Sequence, residues 1–259
     1  MRKLKYIPLA LSLALLAGGA SAAPIYWTDW TGTDQDPGNG FIGSGTITTP
    51  TSTVTVTYTN PQGIGFYQTS GGQYYYSNGT DGPNGTSPYT STQVDNRPPT
   101  TDIVALRYRG SQTLTFSQAI ANPVFAYVSL NGNGYAFDQD FDILSVGGVD
   151  GNACGYWGCG TSYKQIVTVN GVTEYQLLGT GEPHGTLRFT GTFDTVSWRS
   201  LSDENWNGFT VGVQGTAVEF CTANPNAPEC NPTSVPEPAS LILLGIGFGS
   251  LVLGRRRKS

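Results

Sequence analysis

Apolar and polar residues alternate with a period of two through most of the chain from Ile25 to about Glu219. The alternation is strict in Thr53–Thr59. Such a period sends successive side chains to opposite faces of a strand, so it predicts half-buried β-strands. Pro123–Leu130 is more continuously apolar, which is typical of a strand buried on both faces. The remaining predicted strands are Ile103–Arg109, Gln112–Ser117, Phe141–Val146, Gln165–Val169, Glu174–Leu178, Thr186–Thr190, Phe193–Trp198 and Phe209–Val213.

Turn-forming pairs such as Asn60-Pro61 and Gly147-Gly148 separate these strands. Val169-Asn170-Gly171-Val172 predicts a hairpin with a type I′ turn, because Asn-Gly tolerates the positive φ angles that this turn requires. No window of the body shows a helical stripe. The sequence therefore predicts an all-β protein with one β-sandwich or jelly-roll-like domain over residues 23–221. Gly71–Thr101 is expected to be a long polar loop, and residues 222–234 a linker rich in Pro, Asn and Thr.

The N-terminus has the three parts of a secretory signal peptide, predicted over residues 1–22. Arg2, Lys3 and Lys5 supply the positive charge, and an apolar run follows. Ala20-Ser21-Ala22 supplies the small residues that a signal peptidase requires, so we expect cleavage after Ala22 or Ala23. An uncleaved N-terminal anchor is the alternative, which the shortness of the apolar run disfavours.

The C-terminus, residues 235–259, also has three parts. Pro236-Glu237-Pro238 comes first, an uncharged apolar run over 239–254 follows, and Arg255, Arg256, Arg257 and Lys258 form a basic tail. Sixteen helical residues span about 24 Å, somewhat less than a hydrocarbon core of about 30 Å, so snorkelling arginines would complete a single transmembrane helix. The basic tail is expected to stay cytoplasmic, with the body outside.

These three C-terminal parts, in this order, resemble the PEP-CTERM sorting segment, which is also described as the C-terminal domain of some ice-binding proteins. The resemblance implies export, transient anchoring in the inner membrane with the body in the periplasm, and cleavage near Pro236-Glu237-Pro238 by an exosortase-type enzyme. It also implies a final place at the cell surface or outside the cell. An ordinary tail anchor is the alternative. The body further resembles exported PEP-CTERM proteins of uncharacterised function, in Thr113–Val124, Phe141–Ser145, Gly185–Phe193 and Trp206–Gly212. That second resemblance implies a β-sandwich and no assigned activity.

The net charge of −5 conceals an acidic body. Residues 23–234 contain six basic and 17 acidic side chains, a formal charge of −11. This balance argues against a nucleic-acid partner, which needs a basic face.

Four cysteines in an exported chain predict two disulfides, and of three pairings we favour Cys154–Cys159 with Cys221–Cys230, since both close short local loops. A metal site at Cys154 and Cys159 is a weaker alternative, because no second cysteine pair or histidine lies near them in the sequence.

Two acidic runs are candidate Ca²⁺ ligands. Asp138, Asp140 and Asp142 alternate, so an extended backbone would place them on one face. Asp34 and Asp36 lie in a turn-forming loop. Carboxylate oxygens on flexible loops suit Ca²⁺, although neither run has the EF-hand spacing. Solvated surface acids are the alternative interpretation.

Aromatic residues in predicted loops are candidate sugar-stacking groups. The glycan-binding candidates are Tyr75, Tyr156, Trp157 and Trp206, with Tyr74, Tyr76 and Tyr89 in similar contexts. Exposed rings stack on the apolar faces of sugars, whereas buried rings would only complete the core. We expect Trp27 and Trp198 to be buried, because each lies within an apolar run.

Ice binding and catalysis are the remoter alternatives. Alternate threonines from Thr51 to Thr59 would form one row of hydroxyls, but no internal repeat extends it. The chain has one histidine, His184, and no G-x-S-x-G motif. A glycosidase needs only two carboxylates, for which Glu182, Asp203 and Glu204 are the candidates. The sequence favours a non-catalytic surface or extracellular-matrix protein associated with exopolysaccharide or biofilm. The alternative is a carbohydrate-binding module, with or without dependence on calcium.

Overall fold

Two antiparallel β-sheets form the body in the computed structural model, which describes residues 22–38, 40–79 and 86–230. The all-β sandwich predicted from the sequence is thereby confirmed. The strands are β1 (Tyr26–Trp27), β2 (Asp29–Thr31), β3 (Phe41–Thr48), β4 (Thr53–Asn60), β5 (Phe66–Gln68), β6 (Ile103–Leu106), β7 (Gly110–Ala121), β8 (Val124–Val128), β9 (Gly134–Phe137), β10 (Asp142–Val146), β11 (Gly160–Val169), β12 (Val172–Gly181), β13 (Gly185–Arg188), β14 (Thr192–Ser200), β15 (Asn207–Val213) and β16 (Gly215–Thr216).

The strand order defines two unequal sheets. The seven-stranded sheet runs β10-β13-β8-β15-β6-β5, with β1 beside β15. The nine-stranded sheet runs β11-β12-β9-β14-β7-β4-β3-β2, with β16 beside β7. Strands that are neighbours in the sequence are therefore often in different sheets, as sandwich connections require.

The main core lies between the sheets and is rich in aromatic rings. On β4 the residues Val54, Val56 and Tyr58 point inward and are fully buried, as the alternation predicts. Rings from both sheets meet edge to face, for example Phe125 on Trp198 with 5.3 Å between centroids. Trp27 and Trp198 are buried, as expected from the apolar runs around them.

A second apolar layer covers the outer face of the seven-stranded sheet. Ile103, Val124 and Ala126 point to this face and are buried by the N-terminal segment and the long loop after β5. Tyr76 and Tyr89 of that loop are fully buried there, and the backbone N–H of Asp95 donates to the carbonyl of Ala23 at 3.1 Å. The described parts of the polar loop, residues 71–79 and 86–101, thus belong to the folded body.

The hairpin β11–β12 has the predicted turn. Its register is continuous from Gly160 opposite Gly181 to Val169 opposite Val172. Asn170 and Gly171 have φ angles of 52° and 82°, which are the positive values of a type I′ turn. The type I′ prediction is confirmed.

Strand β3 was not among the individual strands predicted from the sequence, because glycines occupy two of its inward positions. A Cβ on Gly43 would lie 2.9 Å from the Phe41 ring, and one on Gly45 would lie 2.5 Å from the Thr28 methyl group. Neighbouring side chains fill the space that apolar residues of β3 would otherwise occupy. The hydrophobic pattern that identifies a strand is therefore missing from its sequence.

The folded part continues past Cys221, into residues predicted to be linker. A helix, α1 (Ala217–Ala223), and a 3₁₀ helix over Pro228–Cys230 follow β16. No helix in the described ranges is long and apolar enough to cross a membrane. The predicted signal peptide, apart from its last residue, and the predicted transmembrane helix over 239–254 lie outside the described residues.

Candidate glycan-binding site

The four predicted glycan-binding aromatics meet in one surface cluster. Tyr75 stacks on Trp157 with 5.3 Å between ring centroids and 26° between the planes. Tyr156 and Trp206 contact the Trp157 ring edge to face at 4.8 and 4.9 Å. Phe66 of β5, which no sequence motif marks as part of a site, packs on Trp206 with 4.9 Å between ring centroids. We call Phe66, Tyr75, Tyr156, Trp157 and Trp206 the aromatic cluster.

Three distant parts of the chain supply the four predicted rings. Tyr75 comes from the long loop, Trp206 immediately precedes β15, and Tyr156-Trp157 form the tip of the connection between β10 and β11. The tip is a tight turn, because Gly155 N–H donates to the Gly158 carbonyl at 2.9 Å and Gly158 N–H donates back at 3.2 Å. The Cys154–Cys159 disulfide closes the same turn.

The tip rests on buried His184. A Cβ on Gly155 would lie 2.0 Å from Cγ of His184, so only glycine fits this close approach. The Tyr89 hydroxyl is 3.1 Å from Nδ1 of His184, and Nε2 has no hydrogen-bond partner among the described residues. Burial lowers the pKa of His184 to about 4, which keeps the ring neutral at physiological pH.

Exposure within the aromatic cluster is uneven. Trp157 is 44% exposed, whereas Tyr75, Tyr156 and Trp206 are half-buried. Burial, with the Tyr156 phenol as a smaller cause, raises the pKa of Tyr75 above its ordinary value. The cluster therefore presents one indole as a platform while the other rings hold it in place. Tyr76 and Tyr89 are fully buried, so they offer no surface to a ligand.

Three of the predicted calcium ligands, Asp34, Asp140 and Asp142, have protein partners. β9 ends at Phe137 and β10 begins at Asp142, so Asp138 and Asp140 lie in the connection between two strands and the three aspartates of this run do not share one extended strand. Asp140 Oδ1 is 2.7 Å from Lys164 Nζ, and Asp142 Oδ2 is 3.8 Å from Arg188 Nη2.

The second acidic loop is organised by its own backbone. Asp34 accepts hydrogen bonds from the backbone N–H groups of Asp36 and Ile42, at 3.0 and 3.1 Å. Among the described residues, no group of three or more Asp, Glu, His or Cys side chains is arranged to hold a metal ion. Protein groups contact the carboxylates of Asp34, Asp140 and Asp142, and calcium binding stays a prediction.

The three acids considered for catalysis have different environments. Glu182 accepts hydrogen bonds from Ser129 Oγ at 2.5 Å and from Asn131 Nδ2 at 2.6 Å. Asp203 Oδ1 accepts a hydrogen bond from the backbone N–H of Arg109 at 2.7 Å. Burial raises the pKa of Glu204 to about 7, although an interaction with the Asn207 side chain lowers it in part. The non-catalytic interpretation stays a prediction.

The threonine row on β4 has neighbours that the sequence did not reveal. Thr57 pairs with Ser44 on β3 and with Thr115 on β7, and Thr115 pairs with Thr195 on β14. Thr51 lies before the strand and binds Glu219 instead. Neighbouring strands are rotated by roughly 20–25°, so these hydroxyls follow a twisted surface. Ice binding stays a prediction.

The two disulfides join the pairs favoured from the sequence. Cys154–Cys159 has a Cα–Cα distance of 4.6 Å, and Cys221–Cys230 one of 5.2 Å. The second links α1 to the 3₁₀ helix over Pro228–Cys230. The weaker alternative, a metal site at Cys154 and Cys159, is wrong because their sulfurs are bonded to each other.

The fold and its surface cluster define a disulfide-containing β-sandwich with one exposed aromatic platform. At the C-terminus, residues 234–258 match the PEP-CTERM protein-sorting motif. The match covers the predicted sorting residues Pro236, Glu237, Pro238, Arg255, Arg256 and Arg257, which lie outside the described residues. It implies an exported protein that an exosortase sorts. No curated protein and no solved structure gives a match.

Proposed function

We propose that this exported protein works, without catalysis, at the cell surface or in the extracellular matrix, where Trp157 contacts polysaccharide. The observation that supports the proposal is the convergence of four separately predicted rings on one exposed indole. A flat apolar ring that is 44% exposed suits the C–H face of a sugar ring. The fixed tip means that little side-chain freedom is lost when the sugar binds.

One platform supports only weak binding. A dissociation constant near 1 mM corresponds to about 4 kcal/mol, which is a reasonable contribution for one stacked ring with few polar contacts. Weak single contacts become effective when many copies face one polymer. Such a protein would cross-link or decorate exopolysaccharide in a biofilm rather than capture a soluble sugar.

The test is binding to a panel of neutral and uronic-acid polysaccharides by affinity electrophoresis. We expect Trp157→Ala to reduce the retardation at least fivefold. Tyr108→Ala is the matched control, because Tyr108 is 41% exposed and lies outside the aromatic cluster. Thermal unfolding of each variant checks that the body remains folded. Retardation that is absent at millimolar sugar concentration, or equally weakened by both variants, would contradict the glycan contact and leave a purely structural matrix role.

The route to the surface is tested separately. We propose that signal peptidase removes the N-terminal segment, that the body resides transiently in the periplasm on an inner-membrane anchor, and that an exosortase then releases it. Glu237→Ala should leave a longer, membrane-associated form, detected by mass and fractionation. Normal release of this variant would contradict exosortase processing at the motif. The two experiments are independent, since Trp157 is distant in sequence from the motif.

A further inference from the structure

The two sheets have four outer edges, and three of them carry features that discourage pairing with another chain. β2 and β5 have three residues each, and β10 has a register shift between Ile143 and Ser145. Short strands and bulges are common protections of sheet edges. The fourth edge, β11, has ten residues, no proline and an uninterrupted register with β12.

Side chains on β11 do not protect this edge either. Half of the large apolar side chains that are exposed in the described part belong to the β11–β12 hairpin: Tyr163, Ile166, Val169 and Val172. Lys164 is the one charged residue of β11, and its Nζ lies 2.7 Å from Asp140 Oδ1 and 2.8 Å from the Phe141 carbonyl. This lysine is therefore held toward the start of β10. Gln165–Val169 is left as an uncharged, strand-forming segment.

The backbone geometry determines which groups face outward. A two-residue hairpin turn makes Val169 and Val172 a hydrogen-bonded pair, and such pairs alternate along an antiparallel ladder. The even-numbered residues from Ser162 to Thr168 consequently direct their N–H and C=O groups away from β12. No other described strand pairs with β11.

We propose that β11 pairs with β11 of a second copy of this chain, antiparallel about a two-fold axis, so that two nine-stranded sheets join. A register centred on Ile166 matches the outward-facing backbone groups and places Ile166 opposite its own copy. The same register sets Tyr163 opposite Val169, a favourable aromatic and β-branched pair. It sets Lys164 opposite Thr168, which keeps the two lysines apart. An isologous contact of this kind closes as a dimer.

The test measures association of the intact chain in detergent by sedimentation velocity over a range of concentrations. We expect a monomer–dimer equilibrium that Ile166→Lys shifts at least tenfold toward monomer, because two lysines would then face each other. Val172→Lys is the matched control: Val172 is 58% exposed and Ile166 is 59% exposed, but Val172 lies on β12, away from the new contact. A dimer that persists in Ile166→Lys would overturn the proposal. This is the result expected if the 239–254 segment, and not β11, held the two copies together.

Cross-linking tests the register. Residues opposite each other in a hydrogen-bonded pair have Cα atoms about 5.5 Å apart, a separation that a disulfide spans. We expect Ile166→Cys to give a covalent dimer on mild oxidation and Val172→Cys to give none. Three results would overturn the proposal. The wild-type chain could stay monomeric at every concentration, or both cysteine variants could cross-link equally. The monomer could also be recovered with a different protein bound at β11.

Discussion

His184 should make the body sensitive to acid. Burial lowers its pKa from 6.5 to about 4, so the folded state disfavours the charged ring that the unfolded chain accepts. The corresponding stability is fully present above about pH 6.5 and is lost as the pH falls through 4. At 1.36 kcal/mol per pKa unit, the loss amounts to about 3 kcal/mol, a large part of a typical domain's stability.

The perturbation is His184→Gln, which keeps a neutral polar side chain at this position. Urea unfolding, followed by tryptophan fluorescence with the disulfides intact, gives the free energy of unfolding between pH 4 and 7.5. We expect the wild-type value to fall by about 3 kcal/mol relative to the variant over this range. Asp102 and Glu204 have pKa values raised by burial to about 6 and 7, so their contributions run in the opposite direction.

Those opposing contributions are common to both proteins and cancel in the difference. Parallel pH profiles for the wild type and the variant would refute the reasoning, because they would mean that His184 is charged or hydrated in the folded state. A lower but parallel curve would show only that the variant packs less well. The decisive quantity is therefore how the difference between the two free energies of unfolding changes with pH.

Three further predictions concern stability. Glu204→Gln should stabilise the body at pH 8.5 by about 1–2 kcal/mol and have little effect at pH 4.5. The reason is that the raised pKa of Glu204 makes the wild type lose stability as the pH rises through 7. Partial exposure of the carboxyl group to solvent reduces the size of this loss. Equal effects in urea unfolding at both pH values would contradict this. Gly155→Ala should cost about 1–3 kcal/mol by forcing the tip away from His184, seen as a lower melting temperature; an unchanged melting temperature would show that the tip adapts freely. Thr216→Ala removes the helix cap described below and should cost about 1 kcal/mol, measured in the same way, with Thr222→Ala as the control; equal losses would exclude a specific capping effect.

The repeating pattern of the body was readable from the sequence, whereas contacts between distant segments were not. Val54 and Val56 alternate with threonines, so β4 follows from local periodicity alone. Strand β3 could not be predicted, because neighbouring side chains occupy the space beside its glycines and this tertiary packing is not visible in the sequence. Helix α1 did leave a local signal, since Thr216 and Glu219 have the spacing of a capping box and form one in the structure.

The candidate site shows the same division. The loop context of each aromatic predicts exposure, but their convergence depends on how the long loop and the disulfide tip pack against Trp206. The alternation of Asp138, Asp140 and Asp142 was misleading because a turn interrupts it, and Lys164, 22 residues beyond Asp142 in the sequence, neutralises Asp140. Period-two reasoning carries no information about where a strand ends.

The Cys221–Cys230 disulfide determines how the body would bear mechanical load. Tension applied at Cys230, the last described residue, crosses the disulfide directly to Cys221 in α1. From there it reaches Glu219, which accepts hydrogen bonds from Thr216 N–H at 2.8 Å and Thr49 Oγ1 at 2.7 Å. Although burial alone would raise the pKa of Glu219, its hydrogen bonds lower it to about 2, so these contacts persist in acid. A load on Cys230 would thus be spread over the end of β16 and the connection between β3 and β4, two points of the larger sheet.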